Sequence, residues 1–313
     1  MTRQSWWRLA QGVILVVVLW FAGQRLWQQW VNTSHADLHA TLDAPRLVGA
    51  SLIVLATYLL LIETWRAVLA RYDATLPFGP AVRIWFVSNL GKYIPGKIWQ
   101  IGAMTMFVGR YGVGAATAGA AAIVITVANV AAGFAFVLAA AAPSLSAWGG
   151  PRATLVATGV LLLVLACAPI MARAWTQLAH RLGRPTLAVR VPPTASLIAL
   201  AGSGIAWALY GVAFRIFAQS VLGPMDGGWL AWSAAYTLSY LVGYLTLIVP
   251  GGVGVREVTL TQILTTLGLT TPAQAVVVAL TSRLWLTVLE IAPGIVALIA
   301  NPDLRVTRTS TVS

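Results

Sequence analysis

Six stretches of the chain, 8–27, 47–66, 113–142, 153–172, 195–218 and 274–299, run for twenty or more predominantly apolar residues. A helix needs about 20 such residues to cross the hydrocarbon core of a bilayer. No water is available there to satisfy backbone N–H and C=O groups, so only helices and closed barrels can span. Runs this long without period-two alternation are helical. Composition agrees, because 59% of residues are apolar and 9% are charged, whereas a soluble domain is about a quarter charged. A soluble globular fold is excluded. Residues 1–313 are read as a single all-α polytopic membrane domain.

Two further apolar stretches do not fit a clean crossing. Residues 79–111 carry Arg83, Asn89, Lys92, Lys97 and Arg110 and are divided by Pro95 and Gly96 into halves too short to span. Residues 229–268 are broken at Pro250, Gly251, Gly252 and Gly254. Proline removes a backbone donor and clashes with the preceding turn, while glycine permits positive φ, so both breaks are sharp. Irregular backbone at membrane depth survives only where protein or a water-filled cavity covers it. Both stretches are therefore expected to be re-entrant helical hairpins, giving eight apolar segments.

The net charge of +12 does not point to nucleic acid, since the basic residues are scattered between apolar runs and form no patch on a solvated fold. They sort by topology instead. With Arg3 and Arg8 inside, the loop 28–45 falls outside with Asp37 and Asp43 and no basic residue. Arg66, Arg71, Arg83, Arg173, Arg181, Arg184, Arg190, Arg305 and Arg308 then all fall inside, as the positive-inside rule requires, if each hairpin returns to the side it entered from. This places both termini, including the tail 300–313, in the cytoplasm, and the protein in the cytoplasmic (inner) membrane. The first stretch lacks a small-x-small cleavage pattern and is expected to stay as a span. Tryptophans 6, 7, 65, 175, 27, 30, 229 and 232 fall near span ends, where aromatic belts are expected.

The order is span, span, hairpin from inside, span, and then span, span, hairpin from outside, span. The halves, about 8–142 and 153–299, have opposite orientation. Inverted repeats with broken helices near the midplane are a recurrent plan of secondary transporters, and the breaks point to the binding site.

The second helix of each hairpin is expected to begin at Lys97 and near Gly254. Its N–H groups and positive dipole end then face the membrane interior, which is an anion-binding geometry. Asn89, Lys92, Lys97 and Arg256 are the candidate ligands for a lipid phosphate. Lys92 and Lys97 are the only lysines among the 20 Lys and Arg residues. Glu257, Arg283 and Glu290 are candidate counter-ions. Arg283 and Glu290, seven apart on one helix face, are separated by about 10.5 Å of rise, so each is expected to find a partner on another helix. Glu63 and Arg66 read as a local pair, and Arg215 as a snorkelling side chain. His35 and His39 flank Asp37 without further ligands in view, Cys167 lies in an apolar run, and no nucleotide, zinc-protease or hydrolase motif occurs. No metal, cofactor or catalytic residue is expected. The run "GVGAATAGAAA" reads as a small-residue packing face.

The segments "NLGKYIPGKIWQIG" (89–102) and "VPGGVGVRE" (249–257) together resemble the lysylphosphatidylglycerol synthase transmembrane-region family, the flippase-like domain of aminoacyl-phosphatidylglycerol synthase/flippases. The resemblance spans nearly the whole chain. It points to Asn89, Gly91, Lys92, Pro95, Gly96, Lys97 and Trp99, and to Pro250, Gly251, Gly252, Gly254, Arg256 and Glu257. In two-domain members, the resemblance implies, this part moves a modified lipid between leaflets while a cytoplasmic domain makes it. Only about 14 residues follow the last span, so a stand-alone member without the synthase is expected. The leading expectation is a lipid translocase for an anionic phospholipid or phosphate-linked lipid. The alternatives are a membrane-embedded transferase using a lipid-phosphate donor, with Glu257 or Glu290 as its carboxylate, and a partner of a separate synthase or glycosyltransferase.

Overall fold

A computed structural model describes residues 42–90, 98–149, 191–246 and 252–300, and among them every regular element is a helix. The order is α1 (Ala44–Ala70), α2 (Phe78–Asn89), α3 (Ile98–Gly109), α4 (Ala115–Gly149), α5 (Pro193–Leu222), α6 (Trp229–Leu245), α7 (Val255–Thr266) and α8 (Pro272–Ala300). The expected spans 8–27 and 153–172 lie outside the described residues.

Four helices, Ala44–Ala70, Ala115–Ala140, Pro193–Leu222 and Pro272–Ala297, are long and apolar enough to cross a membrane. They coincide with four of the six expected spans. Their starts follow from local chemistry. The Asp43 carboxylate accepts the Arg46 N–H at 3.1 Å before α1. Thr271 and Gln274 exchange backbone and side-chain bonds at the start of α8, the reciprocal arrangement of a capping box. Proline sits in the first turn of α1 and α5, where its missing donor costs nothing. By contrast α2, α3 and α7 have 12 residues each and α6 has 17. At about 1.5 Å per residue none reaches across about 30 Å of hydrocarbon. These short helices occupy the two interrupted stretches.

The order long, short, short, long thus runs twice, and the packing repeats with it. Contacts between α1 and α2, α2 and α3, α3 and α4, and α4 and α6 have counterparts between α5 and α6, α6 and α7, α7 and α8, and α8 and α2. The two leading helices, α1 and α5, pack on each other as an antiparallel pair. The Asp43 N–H bonds the Ser220 carbonyl at 2.9 Å at one end, and Thr64 meets Gly202 toward the other.

Close approach rests on small residues, as expected where lipid leaves packing as the main source of cohesion. A Cβ on Gly202 would overlap the Thr64 side chain, one on Gly211 would overlap Ser233, and one on Gly133 would sit 2.9 Å from the Trp207 indole nitrogen. Gly119 has open space around it. We expect Gly202→Ala to lower stability by about 1–3 kcal/mol through overpacking, whereas Gly119→Ala gains helix propensity and melts no lower than the parent. Thermal unfolding of the two detergent-purified variants checks this, and equal melting would refute the close α1–α5 contact.

The aromatic-belt expectation is corrected in part. Trp229 is 45% exposed at the start of α6, but Trp65 and Trp232 are 0% exposed. Trp65 packs on Trp85 with ring centroids 6.0 Å apart, and the Trp232 indole donates to the Asp226 carbonyl at 3.1 Å. Distance from a helix end does not say which face an indole takes. These two point inward, where neighbouring helices supply contacts and, for Trp232, the loop before α6 supplies a hydrogen-bond acceptor.

Candidate functional site

The turn leading into α7 positions the most deeply buried cation among the described residues. Gly252 and Gly254 hold φ of 66° and 83°, the left-handed region open to glycine. A Cβ on Gly252 would lie 2.6 Å from the Gly243 carbonyl oxygen, so this turn crosses α6 backbone against backbone. A Cβ on Gly243 would in turn lie 2.9 Å from that of Arg256. At the far ends of the same two helices a Cβ on Gly227 would meet Leu269, so α6 and α7 run antiparallel with both outer ends together.

Glu257 stands at the third position of α7 and accepts the Gly254 N–H through Oε2, capping the helix. Its Oε1 faces Nε of Arg283 on α8 at 3.6 Å. One carboxylate, 3% exposed, thus both starts α7 and ties it to α8.

Arg256 is 5% exposed. Its guanidinium lies over the rings of Tyr236 and Tyr240, 5.0 Å from each centroid, an arrangement in which the ring quadrupoles attract the cation. Its Nη2 has no hydrogen-bond partner among the described residues. A buried charge with an N–H to spare is costly unless something fills the valence.

That guanidinium borders a cavity of about 160 Å³ to which all eight helices contribute. Tyr58 comes from α1, Asn89 from α2, Gln100 from α3, Thr126 and Asn129 from α4, and Trp207 and Tyr210 from α5. Tyr236, Tyr240 and Tyr244 come from α6, Arg256 from α7, and Arg283, Thr287 and Glu290 from α8. Gln100 donates to Asn89, joining α2 to α3 at the wall. The Tyr58 hydroxyl donates to Glu290 Oε1 at 3.0 Å. Tyr58, Tyr210, Tyr236, Tyr240 and Tyr244 form a continuous row with neighbouring centroids 6.1 to 6.4 Å apart.

Asn89, Arg256, Arg283 and Glu290 therefore meet on one cavity. Glu257 stands behind its wall, and Gly252 and Gly254 form the turn. Lys92, Pro95, Gly96, Lys97, Pro250 and Gly251 lie outside the described residues, as do His35, His39 and Cys167. Arg283 and Glu290 find partners on α7 and α1. Glu63 and Arg66 pair at 2.6 Å, and Arg66 also donates to the Leu76 carbonyl at 2.7 Å. Among the described residues no three His, Cys, Asp or Glu side chains converge as metal ligands. The tyrosine row was not anticipated, although Tyr236, Tyr240 and Tyr244 recur every four residues in the sequence and so share a helix face.

No curated protein matches the chain. The family described as the lysylphosphatidylglycerol synthase TM region matches residues 8–294, an interval containing every residue of the cavity wall. The chain belongs to the lysylphosphatidylglycerol synthase TM region family.

Proposed function

We propose that the protein is a lipid translocase that moves an anionic phospholipid or phosphate-linked lipid between the leaflets of the cytoplasmic membrane. The family is a membrane domain associated with lipid synthesis and flipping. In this reading α2 with α3 and α6 with α7 are re-entrant hairpins of an inverted repeat, one entering from each side, and both termini are cytoplasmic. The phosphate is held by Arg256, with Asn89, Lys92 and Lys97 contributing from the opposite hairpin. The acyl chains stay in the bilayer.

One observation carries the reading: a guanidinium in a membrane domain, 5% exposed, whose Nη2 has no hydrogen-bond partner among the described residues, bordering a cavity that every described helix helps to build. An intramembrane charge is retained against a cost of several kcal/mol on insertion scales, which is why such residues mark substrate pathways. Transport without catalysis is favoured because Glu257 is committed to the α7 cap and to Arg283, and Glu290 accepts the Tyr58 hydroxyl. A separate synthase or glycosyltransferase would then supply or consume the lipid.

Reconstitution tests this. Proteoliposomes holding the protein and a fluorescently labelled anionic phospholipid should exchange label between leaflets faster than protein-free vesicles. Arg256→Gln should return exchange to the protein-free rate, and Arg256→Lys should retain part of it by keeping the charge but losing the fork of donors. If Arg256→Gln protein, correctly inserted and melting with the wild type, moved lipid at the wild-type rate, the site would be wrongly assigned.

A further inference from the structure

The repeat in the fold also sets what stands at each end of the cavity. On α4 the last residue lining the cavity is Asn129, and Gly133 follows one turn later. On α8 the last lining residue is Glu290, and Gly294 follows one turn later. Both glycines are buried. A Cβ on Gly133 would lie 2.9 Å from the Trp207 indole nitrogen and 3.2 Å from Cδ1 of Leu241. One on Gly294 would lie 3.1 to 3.2 Å from Cδ2, Cδ1 and Cγ of Leu90. Leu90 and Leu241 hold the same place in the two halves, each twelve residues past the first residue of α2 or α6. Each seat thus joins the last long helix of one half to the first short helix of the other.

The two seats lie at opposite ends. Phe136 of α4, just past Gly133, packs on Trp229 at the start of α6 with ring centroids 6.4 Å apart. Leu269, just before α8, meets Gly227, just before α6. Helix α4 therefore runs toward the end of the molecule where α6 starts, and α8 runs away from it. Resting on the translocase reading, we infer that these two glycine–leucine seats are the gates of the cavity, Gly133 against Leu241 and Trp207 at one end and Gly294 against Leu90 at the other, and that they part in turn as a headgroup crosses.

A headgroup that crosses must pass both ends. Open at both at once, the cavity would be a water-filled pore, and shut at both it would pass nothing. A leucine seated on a glycine suits a contact that must close tightly and still part, because the missing side chain allows close approach while no hydrogen bond or ion pair has to be broken between the two. The ends are also unequally shut. Helix α4 packs along α5, and Trp207 donates to the Asn129 carbonyl at 2.8 Å. Their counterparts α8 and α1 stand further apart, bridged by the long side chains of Trp285, which donates to Ser51, and of Tyr58, which donates to Glu290. Rocking one half of an inverted repeat against the other exchanges such arrangements about a fixed site, which would tighten the Gly294 end and loosen the Gly133 end around Arg256.

The test replaces each seat with a cysteine pair, Gly133→Cys with Leu241→Cys and Gly294→Cys with Leu90→Cys, in a chain whose one native cysteine is removed by Cys167→Ser. Oxidation joins a pair and a reductant parts it. Two readouts are compared. One is exchange of labelled anionic phospholipid in proteoliposomes. The other is binding of dioctanoyl phosphatidic acid in detergent, followed by tryptophan emission, since Trp85 and Trp207 border the cavity. With one seat locked, exchange should fall to the protein-free rate while binding persists through the other end, and reductant should restore exchange. With both locked, binding should be lost as well. Should Gly133→Cys fail to fold beside Trp207, the Gly294 pair decides alone, because a pair that only distorted the fold would lose binding together with exchange. Continued exchange in fully cross-linked protein, or loss of binding with a single lock, would overturn the gates and leave the Arg256 site standing. If the wild type exchanged lipid no faster than protein-free vesicles, the translocase reading itself would fall.

Discussion

Replacing Glu257 with leucine is expected to cost about 3–5 kcal/mol of stability, the range seen when one partner of a buried ion pair is removed. Two losses combine. The Gly254 N–H at the start of α7 loses its acceptor, and a lost cap alone is worth about 0.5–2 kcal/mol. Arg283, with its side chain 19% exposed, loses the carboxylate that faces it at 3.6 Å. Glu257→Gln separates the two, because its amide oxygen can still accept the Gly254 N–H while the charge is gone. It should melt between Glu257→Leu and the wild type. Combining Glu257→Leu with Arg283→Leu should recover part of the loss, with a coupling of about 0.5–3 kcal/mol as found for contacting residues. Thermal unfolding of the five detergent-purified proteins, the Arg283→Leu single variant included, measures this. Additive losses in the double variant would mean that the α7–α8 tie carries no energy, and Glu257 would then be a cap and nothing more.

The roles of Glu257 and Arg256 also mark where the sequence could be read and where it could not. Four of the expected spans reappear as α1, α4, α5 and α8, because an apolar run long enough for a bilayer leaves the backbone few alternatives. The start of α7 at Val255 falls next to the expected Gly254, since a glycine break acts locally. The Glu63–Arg66 pair is equally local. The cap role of Glu257 was legible as a glycine followed three residues later by glutamate, but was read as a counter-ion because the residue is charged. The cavity was not legible. Tyr58 and Tyr210 lie on helices far apart in the chain and meet only because α1 and α5 pack antiparallel. Asn129 and Gln100 look like ordinary polar residues in apolar helices until the other helices enclose them. The inward turn of Trp65 and Trp232 likewise depends on neighbours that no local pattern encodes.

The tightest backbone-to-backbone constraint on the site among the described residues is the crossing at Gly252, and Gly252→Ala should be strongly damaging. The position holds φ of 66°, and the added Cβ would lie 2.6 to 2.8 Å from the carbonyl oxygen, carbonyl carbon and Cα of Gly243. Backbone cannot rotate away as a side-chain tip can, so α6 and α7 must separate. Gly268 provides the control, with φ of 63° and open space around it. Gly268→Ala should cost only the backbone term, about 1–2 kcal/mol for a non-glycine residue in the left-handed region. Gly252→Ala carries that cost plus the overlap, and it acts four residues before Arg256. Moving the turn lifts the guanidinium out of the cradle formed by Tyr236 and Tyr240, both on α6. We therefore expect Gly268→Ala to melt slightly below the wild type and transport lipid normally, and Gly252→Ala to melt well below both and return transport to the protein-free rate. Should the two variants melt alike and both transport, the backbone crossing would not be what holds Arg256 at the cavity, and the tyrosine rings alone would have to position it.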